Sequence, residues 1–251
     1  ATTQNVTNFT AGLENITVIN SAGCIGTASV MITQPPVLTT AISSFTNVTC
    51  FGLTNAGATM LANGGTLGYT YLWSPSGQTS PIMANVGANT YTCLVTDAKG
   101  CTSSQSVTLT QPSALVMTAS SFSNISCFGG SNGSISTTAN GGTPGYTYSW
   151  TPTQPNSGVL GGLPAGGYSL LVTDTKSCSI SANFTILQPS ALTSTYSSLP
   201  STCGIANGSA TISVGGGTPG YTINWNTAPP QVGTIATGMA PGSWLGVITD
   251  S

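Results

Sequence analysis

The sequence predicts an all-β protein made of small β-sandwiches in tandem, and two observations carry this prediction. Short runs rich in Val, Ile, Thr, Tyr and Trp alternate with clusters of Gly, Pro, Asn and Ser, which is the pattern of short strands joined by turns. The sequence also repeats itself with a period of about 77 residues. A period of this length is too long for a solenoid unit and suits one sandwich per repeat.

The repeat is clearest where a glycine-rich turn leads to a tryptophan. Residues 141–150 read GGTPGYTYSW, and close copies of this segment end at Trp73 and Trp225. Trp73 and Trp150 are 77 residues apart, and Trp150 and Trp225 are 75 apart. We expect Trp73, Trp150 and Trp225 to be core aromatics, because a large aromatic side chain commonly fills the centre of such a small domain.

Four segments follow from this register. Residues 1–37 are predicted to be the C-terminal part of a repeat, 38–112 and 113–189 full repeats, and 190–251 a repeat lacking its last strand. Successive repeats are joined by short Pro-containing linkers such as LQPSAL at 187–192. A linker of this kind predicts a semi-rigid array of domains.

Within the repeat at 113–189, turn residues and period-2 patterns predict six strands. Their expected bounds are 115–119, 133–139, 146–150, 159–163, 168–173 and 179–187. In the fifth strand we expect Tyr168, Leu170 and Val172 to face the core, because alternate side chains of a strand point to opposite faces.

The charged side chains are too few for most kinds of chemistry. The 251 residues include 2 Lys+Arg, 4 Asp+Glu and no His. Without imidazole, no Ser-His or Cys-His pair and no His-based metal site can form, and two lysines cannot neutralise nucleic-acid phosphates. We therefore expect a protein that is not an enzyme, with no catalytic, cofactor-binding or metal-binding residues and no nucleic-acid partner. The sequence has no apolar run long enough to cross a membrane, so membrane insertion is not expected.

One acidic residue recurs at the end of a Val/Ile-Thr-Asp strand, at Asp97, Asp174 and Asp250. Calcium takes about six or more oxygen ligands, often including several carboxylates, so one acid per repeat is too few. We expect each Asp side chain to hydrogen-bond the backbone of the turn that follows it.

An alternative function, an array of carbohydrate-binding modules, would need exposed aromatic side chains on one face. Tyr69, Tyr146 and Tyr221 are the candidates for such a platform, with a surface polysaccharide as partner. Core packing is the competing interpretation of these side chains.

The motifs of residues 127–189 resemble a known family. In order they are Cys-x-Gly, Gly-Ser-Ile, Gly-Gly-Thr-Pro-Gly-Tyr-Thr-Tyr-x-Trp, Gly-x-Tyr, Val-Thr-Asp and a second Cys. This order resembles the SprB-type repeats of very large cell-surface adhesins of gliding bacteria. The resemblance implies an immunoglobulin-like sandwich, an extracellular or cell-surface location, and a structural or adhesive role in a secreted adhesin or filament.

Six of the seven cysteines keep the period of the repeat. Cys50, Cys127 and Cys203 stand early in their repeats, and Cys24, Cys101 and Cys178 stand late. In an exported protein this spacing favours disulfides. Pairing within repeats would give Cys50–Cys101 and Cys127–Cys178, with Cys24 and Cys203 pairing outside the chain. An ideal sandwich places the two loops at opposite ends, so pairing between successive repeats, as in Cys50–Cys178, and free thiols both stay open.

Cys93 does not keep the period and stands on the apolar face of a strand, where other repeats have Ile16, Leu170 and Gly246. We expect Cys93 to be a buried free thiol that acts as a small hydrophobic side chain.

The two ends of the chain bear on assembly. Residues 1–21 align with 231–251, and 22–35 is a copy of the last strand of a repeat. One subunit could therefore complete the last domain of the next by strand addition, or the segment could belong to one continuous polypeptide. Both interpretations make copies of the repeat the expected partner and allow a head-to-tail filament.

Overall fold

The computed structural model describes residues 7–251, and this range contains strands and turns but no helix. The chain divides into two compact units, Ala1–Gln111 and Pro112–Ser251. The first unit holds a hairpin and one sandwich, and the second holds two sandwiches. The predicted fold class, all-β with immunoglobulin-like sandwiches in tandem, is confirmed.

The first unit contains eight strands in its described part. They are β1 (Gly12–Ile19), β2 (Ile25–Ile32), β3 (Thr39–Thr46), β4 (Ala56–Asn63), β5 (Thr70–Ser74), β6 (Ile82–Val86), β7 (Asn89–Thr96) and β8 (Thr102–Leu109). β1 and β2 form an antiparallel hairpin, and its residues are exposed or half-buried throughout. The other six strands form a sandwich of two three-stranded sheets, ordered β3-β4-β6 and β5-β7-β8.

The second unit contains two more sandwiches. The third repeat is built from β9 (Val116–Ser123), β10 (Gly133–Asn140), β11 (Thr147–Thr151), β12 (Val159–Leu163), β13 (Gly166–Thr173) and β14 (Ser179–Ile186). The fourth is built from β15 (Thr193–Leu199), β16 (Gly208–Gly215), β17 (Thr222–Trp225), β18 (Gln231–Val232), β19 (Ile235–Met239) and β20 (Gly246–Thr249). Their sheets are ordered β9-β10-β12 and β11-β13-β14, and then β15-β16-β19 and β18-β17-β20.

Each sandwich has its own hydrophobic core centred on a tryptophan. Trp73, Trp150 and Trp225 are all buried, and each indole N–H donates to a carbonyl two residues before the start of β6, β12 or β19, respectively. For Trp150 the acceptor is Ser157 O at 3.0 Å, and its ring lies 5.9 Å from that of Phe184, centroid to centroid. The indole is therefore buried with its polar atom satisfied, which a buried Trp requires.

The outward-facing side chains of the β7–β8 ladder are paired by neutral hydrogen bonds. Thr90 and Thr108 hydroxyls lie 2.9 Å apart, and those of Thr92 and Ser106 lie 2.8 Å apart. These residues lie directly opposite each other in the antiparallel register. Cross-strand hydroxyl pairs of this kind contribute about 0.2–1 kcal/mol each, and here they occupy positions where many soluble proteins carry ion pairs.

Candidate functional site: turns and linkers that join the repeats

The Asp at the end of each Val/Ile-Thr-Asp strand ties two turns together. In the second repeat, Asp97 Oδ2 accepts the backbone N–H of Thr66 at 2.8 Å, from the glycine-rich turn. Asp97 Oδ1 accepts the N–H groups of Lys99 and Cys101 at 2.9 Å each, from its own turn. The prediction that this carboxylate caps the following turn is confirmed, and the bond to the second turn is an addition to it.

The third repeat reproduces this arrangement around Asp174. Its carboxylate accepts the N–H of Thr143 at 2.8 Å, that of Lys176 at 2.8 Å and that of Cys178 at 2.9 Å. In the fourth repeat, Asp250 Oδ2 accepts the N–H of Thr218 at 2.9 Å. The turn pair is therefore a repeated structural element, and we call it the Asp-turn cluster.

These hydrogen bonds favour the ionised carboxylate. For Asp97 the N–H of Thr66 is the main cause that lowers the pKa, followed by those of Cys101 and Lys99. For Asp174, removal from water acts most strongly and raises the pKa, but the N–H groups of Thr143, Cys178 and Lys176 together outweigh it and lower the pKa.

Because the pKa values of Asp97 and Asp174 are lowered on folding, the second and third repeats should lose stability in acid. The stabilisation is present above the unfolded-state pKa of about 4 and disappears as pH falls through the lower folded-state pKa. Denaturant unfolding of the wild type should therefore give a constant midpoint from pH 7 to about pH 5 and a falling one below about pH 4. The Asp97→Asn, Asp174→Asn double variant should be less stable at pH 7 and show a flatter profile. If the unfolding midpoint fell equally steeply with decreasing pH in the wild type and in the double variant, this account would be contradicted.

The glycine-rich turn of the Asp-turn cluster accepts only glycine at its first two positions. Gly141 and Gly142 have φ values of 78° and 57°. A Cβ on Gly141 would lie 1.9 Å from the backbone oxygen of Ala114, and one on Gly142 would lie 2.5 Å from Asp174 Oδ2. The close approach of linker, turn and carboxylate therefore depends on these two residues.

The tyrosine that ends this turn is used structurally. The hydroxyl of Tyr146 donates to Gly141 O at 2.7 Å, and Tyr69 and Tyr221 make the same bond to Gly64 O and Gly216 O. Tyr69 and Tyr146 are half-buried against the cores of their own sandwiches. These three side chains thus close the turn, which favours the packing interpretation over a sugar-stacking platform.

The linker after the third repeat is hydrogen-bonded to the domains on both of its sides. Leu187 O accepts the N–H of Ile125 at 3.0 Å, and Leu187 N–H donates to Asn124 Oδ1 at 2.9 Å. Gln188 Oε1 accepts the N–H of Gly129 at 2.9 Å. On the other side, Gly217 N–H donates to Ser190 O at 2.9 Å.

The linker after the second repeat makes the same bonds to the domain before it. Thr110 N–H donates to Asn47 Oδ1 at 2.9 Å, and Gln111 Oε1 accepts the N–H of Gly52 at 2.8 Å. Sequence reasoning did not single out these Asn and Gln side chains. The signal was present, since Asn47 and Asn124, like Gln111 and Gln188, are 77 residues apart.

The third and fourth repeats also touch beyond the linker. The hydroxyl of Thr218, in the glycine-rich turn of the fourth repeat, donates to Ser126 O in the third repeat at 3.1 Å. Ser126 directly precedes Cys127, and Thr218 also bonds Asp250. The Asp-turn cluster of one repeat therefore lies beside the early cysteine of the repeat before it.

The cysteines do not pair within repeats, and this corrects the expected Cys50–Cys101 and Cys127–Cys178 bridges. The disulfide-bonded cysteines are Cys50 and Cys178, and the thiols of Cys101 and Cys127 are free and exposed. Cys24 and Cys203 also carry free, exposed thiols.

The physical reason is the direction of the strands. Thr40 on β3 bonds Ser103 on β8 at one end of the sandwich, and Val48 bonds Thr110 at the other end. Cys50 follows Val48, whereas Cys101 directly precedes β8 near Ser103. The two cysteines are thus separated by roughly the length of an eight-residue strand, about 25 Å, while a disulfide needs Cα atoms within about 7 Å.

Cys93 lies in the core of the second repeat with a free and fully buried thiol. Burial raises the pKa of this thiol, and the backbone hydrogen bond with Leu72 offsets only part of the effect. A buried thiol with a raised pKa forms little of the reactive thiolate.

Thiol labelling should separate Cys93 from the exposed cysteines. In the folded protein a bulky maleimide should modify the exposed cysteines rapidly, namely Cys24, Cys101, Cys127 and Cys203. The rate of modification of Cys93 should be at least about a hundred-fold lower, because the reagent can reach this thiol only when the core opens. In denaturant all five should react at similar rates. Peptide mapping by mass spectrometry reads the outcome, and fast labelling of Cys93 in the folded state would contradict it.

Three segments of the chain match the family model of the SprB repeat, at residues 42–78, 119–155 and 195–229. The chain carries SprB repeats. Each match begins in the first strand of a sandwich, contains the glycine-rich turn and runs past the core tryptophan. The resemblance drawn from the motifs is thereby confirmed.

Solved structures of other proteins show weaker similarity. The N-terminal eight Ig domains of Down Syndrome Cell Adhesion Molecule are 14% identical with a TM-score of 0.41, covering 85% of this chain and 32% of that one. A Ca2+-stabilized adhesin said to help an Antarctic bacterium reach out and bind ice is 15% identical with a TM-score of 0.38. The match covers 94% of this chain and 79% of the adhesin chain. The complex of Dpr2 Ig1-Ig2 with DIP-Theta Ig1-Ig3 gives 12% identity, a TM-score of 0.28, and coverage of 81% and 82%. No curated protein sequence matches the chain.

The described part of the chain has neither a membrane-spanning helix nor a cluster of metal ligands. Residues 7–251 contain no helix of the length and hydropathy needed to cross a membrane. In the same range, no three side chains of His, Cys, Asp or Glu come together as metal ligands would.

Proposed function

We propose that the chain is a spacer region of a cell-surface adhesin, in which SprB repeats supply length and stiffness and carry no catalytic activity. The observation that carries this proposal is that the linker is hydrogen-bonded to the domains on both of its sides. Asn124 of the third repeat bonds its backbone, and its own Gln188 and Ser190 bond the third and the fourth repeat, respectively. A linker held in this way loses the freedom that lets domains swing independently.

The extracellular setting is part of the same proposal. The SprB repeats and the disulfide-bonded Cys50 and Cys178 support it, because disulfides persist mainly in oxidising compartments. The near absence of charge supports the array of repeats and not its location, since a surface without like-charge repulsion tolerates close neighbours of its own kind.

The stiffness of the linker can be measured as a distance distribution. Spin labels carried on unnatural amino acids at Leu171 and Tyr196, both exposed, would report the spacing between the third and fourth repeats. We expect a single narrow distribution for the wild type and a broad one for the Asn124→Ala, Gln188→Ala double variant, which removes two linker bonds. Asn183→Ala is the matched control, because its side chain bonds Ser169 on the same domain but away from the linker. A broad distribution in the wild type would overturn the spacer proposal.

A screen for glycan binding tests the alternative of a carbohydrate-binding array. The spacer proposal expects no glycan to be retained by the folded chain. Binding that Tyr146→Ala abolishes while circular dichroism and thermal unfolding stay unchanged would favour the carbohydrate-binding alternative instead. If the wild type binds no glycan and Tyr146→Ala only lowers the thermal stability, the result would agree with the turn-closing role of Tyr146.

A further inference from the structure

The first and last strands of the second repeat, β3 and β8, lie side by side and run in the same direction. Near the start of both strands the hydroxyls of Thr40 and Ser103 lie 2.9 Å apart. Just beyond the end of both strands, Val48 N–H donates to Thr110 O at 3.0 Å. Because the two contacts are met in the same order along both segments, β3 and β8 are parallel neighbours.

Two side chains reinforce the contact at the far end of this pair. Asn47 Oδ1 accepts the N–H of Thr110 at 2.9 Å, and Gln111 Oε1 accepts the N–H of Gly52 at 2.8 Å. With the bond from Val48, they join the segment after β3 to the segment after β8. The side chain of Val48 is buried in the core, so these bonds lie over a packed surface where water competes less for them. We call this group of bonds the strand clamp.

The third repeat builds the same clamp at the ends of β9 and β14. It consists of the linker bonds made by Asn124, Gln188 and the backbone of Ile125, whose side chain is buried like that of Val48. At the start of these two strands, half-buried Met117 and Ile180 stand where the second repeat has its hydroxyl pair. The clamp is therefore the constant part of this strand pair, whereas the contact at the other end changes from polar to apolar.

Between its two ends the strand pair of the second repeat is open. β3 and β8 belong to different sheets, and a groove of about 620 Å³ separates their middles, with Ile42, Phe45 and Gln105 in its lining. No continuous ladder of backbone hydrogen bonds joins the two strands in this repeat, which the structure describes completely. Their direct attachment is therefore concentrated in the clamp and in the hydroxyl pair at the opposite end.

The parallel direction decides how tension along the chain would act on the domain. The chain enters the second repeat at the start of β3 and leaves it at the end of β8. In a parallel pair these two points lie at opposite ends, so tension pulls the strands past each other along their length. The bonds of the clamp lie across this direction and are loaded together, so several must break in one step. In an antiparallel hairpin pulled from its two adjoining ends, the bonds would break one after another.

We propose that the strand clamp makes the second and third repeats resistant to tension, so that each keeps its fold while a pulling force passes along the chain. The source of that force rests on the proposed place of the chain in a surface adhesin. The resistance itself is a property of one domain, whereas the spacer role concerns the stiffness of the linker at rest. A stiff array can unfold easily under tension and a flexible one can resist it, so the two proposals can fail separately.

Single-molecule unfolding at constant tension tests the clamp. The 251-residue chain is tethered through unnatural amino acids at Val37 and Ser113, which are exposed on either side of the second repeat, and dithiothreitol keeps disulfides from carrying the tension. We expect the Asn47→Ala, Gln111→Ala double variant to unfold at least about ten-fold faster than the wild type.

Thr92→Ala is the control for this measurement. It removes a hydroxyl pair from the outer face of the β7–β8 ladder and leaves the clamp untouched. Its unfolding rate under the same tension should rise less than about three-fold. Urea unfolding gives the equilibrium stability that each variant loses. If the two variants accelerated unfolding under tension only in proportion to that loss, the proposal would be overturned.

A change in the direction of pulling tests the geometry without altering the clamp. Moving the first tether from Val37 to Ala88, which is exposed just before β7, applies the tension to the adjoining ends of β7 and β8. This antiparallel pair should then open one bond after another, and the repeat should unfold at least about ten-fold faster at the same tension. Equal unfolding rates in the two directions would mean that the resistance reflects overall stability alone, and the strand clamp would have no special role.

Discussion

Replacing Trp150 by alanine should destabilise the third repeat by about 3–5 kcal/mol, the range for removing a large buried aromatic side chain. The indole is buried between the two sheets, contacts Phe184 and donates a hydrogen bond to Ser157 O. Its removal leaves a large cavity and an unpaired carbonyl in one step.

Native-state hydrogen exchange measures this effect one repeat at a time. Amides of β10 and β13 should exchange about 100- to 4,000-fold faster in Trp150→Ala, since each 1.4 kcal/mol is about a factor of ten. Strands β4 and β7 belong to another sandwich core and serve as the internal reference. Leu171→Ala is the control variant, because Leu171 lies on β13 but is 44% exposed. Equal changes in the two variants would show that the indole does not organise the core.

The second large effect is expected from Gly141→Ala, at about 3 kcal/mol. Part of this comes from the left-handed backbone at φ 78°, which costs a residue with a side chain about 1–2 kcal/mol. The rest comes from the added Cβ, which would meet Ala114 O at 1.9 Å and push the linker away from the turn. Because the turn, the linker and Asp174 are joined, the damage should extend to the bond between Thr143 and Asp174.

A matched glycine separates these two causes. Gly129 has a similar φ of 71°, but a Cβ there would meet nothing within 4 Å. Gly129→Ala should therefore show only the backbone cost, about 1–2 kcal/mol. Urea unfolding of both variants gives the comparison. If Gly141→Ala lost no more stability than Gly129→Ala, the close packing of linker against turn would be unimportant.

The fold could be predicted well because it depends on local patterns that recur. In the third repeat the fourth strand has the predicted bounds, and the alternation of Tyr168, Leu170 and Val172 inward holds in β13. The first strand is less accurate, since it was expected at 115–119 and is found at Val116–Ser123. Its second half is rich in Ser and lacks the apolar alternation from which the prediction was made.

The contacts between distant parts of the chain could be predicted only in part. A periodic Asp at a strand end indicated a turn cap, but not that Asp97 also reaches Thr66 at 31 positions away in the sequence. The cysteine spacing indicated disulfides, yet the favoured partners Cys50 and Cys101 lie at opposite ends of one sandwich. Equal spacing in the sequence fixes which residues are equivalent, and the direction of each strand decides which of them can meet.

The hydroxyl pairs across β7 and β8 give the array a tolerance to changing water. Thr90, Thr108, Thr92 and Ser106 hold neighbouring strands by bonds between neutral groups, which dissolved ions do not screen. The chain has only six charged side chains, 2 Lys+Arg and 4 Asp+Glu, so it also attracts few counterions. Fresh water and brine should therefore leave its unfolding midpoint at neutral pH nearly the same, apart from the general salting-out effect of very concentrated salts on apolar surface.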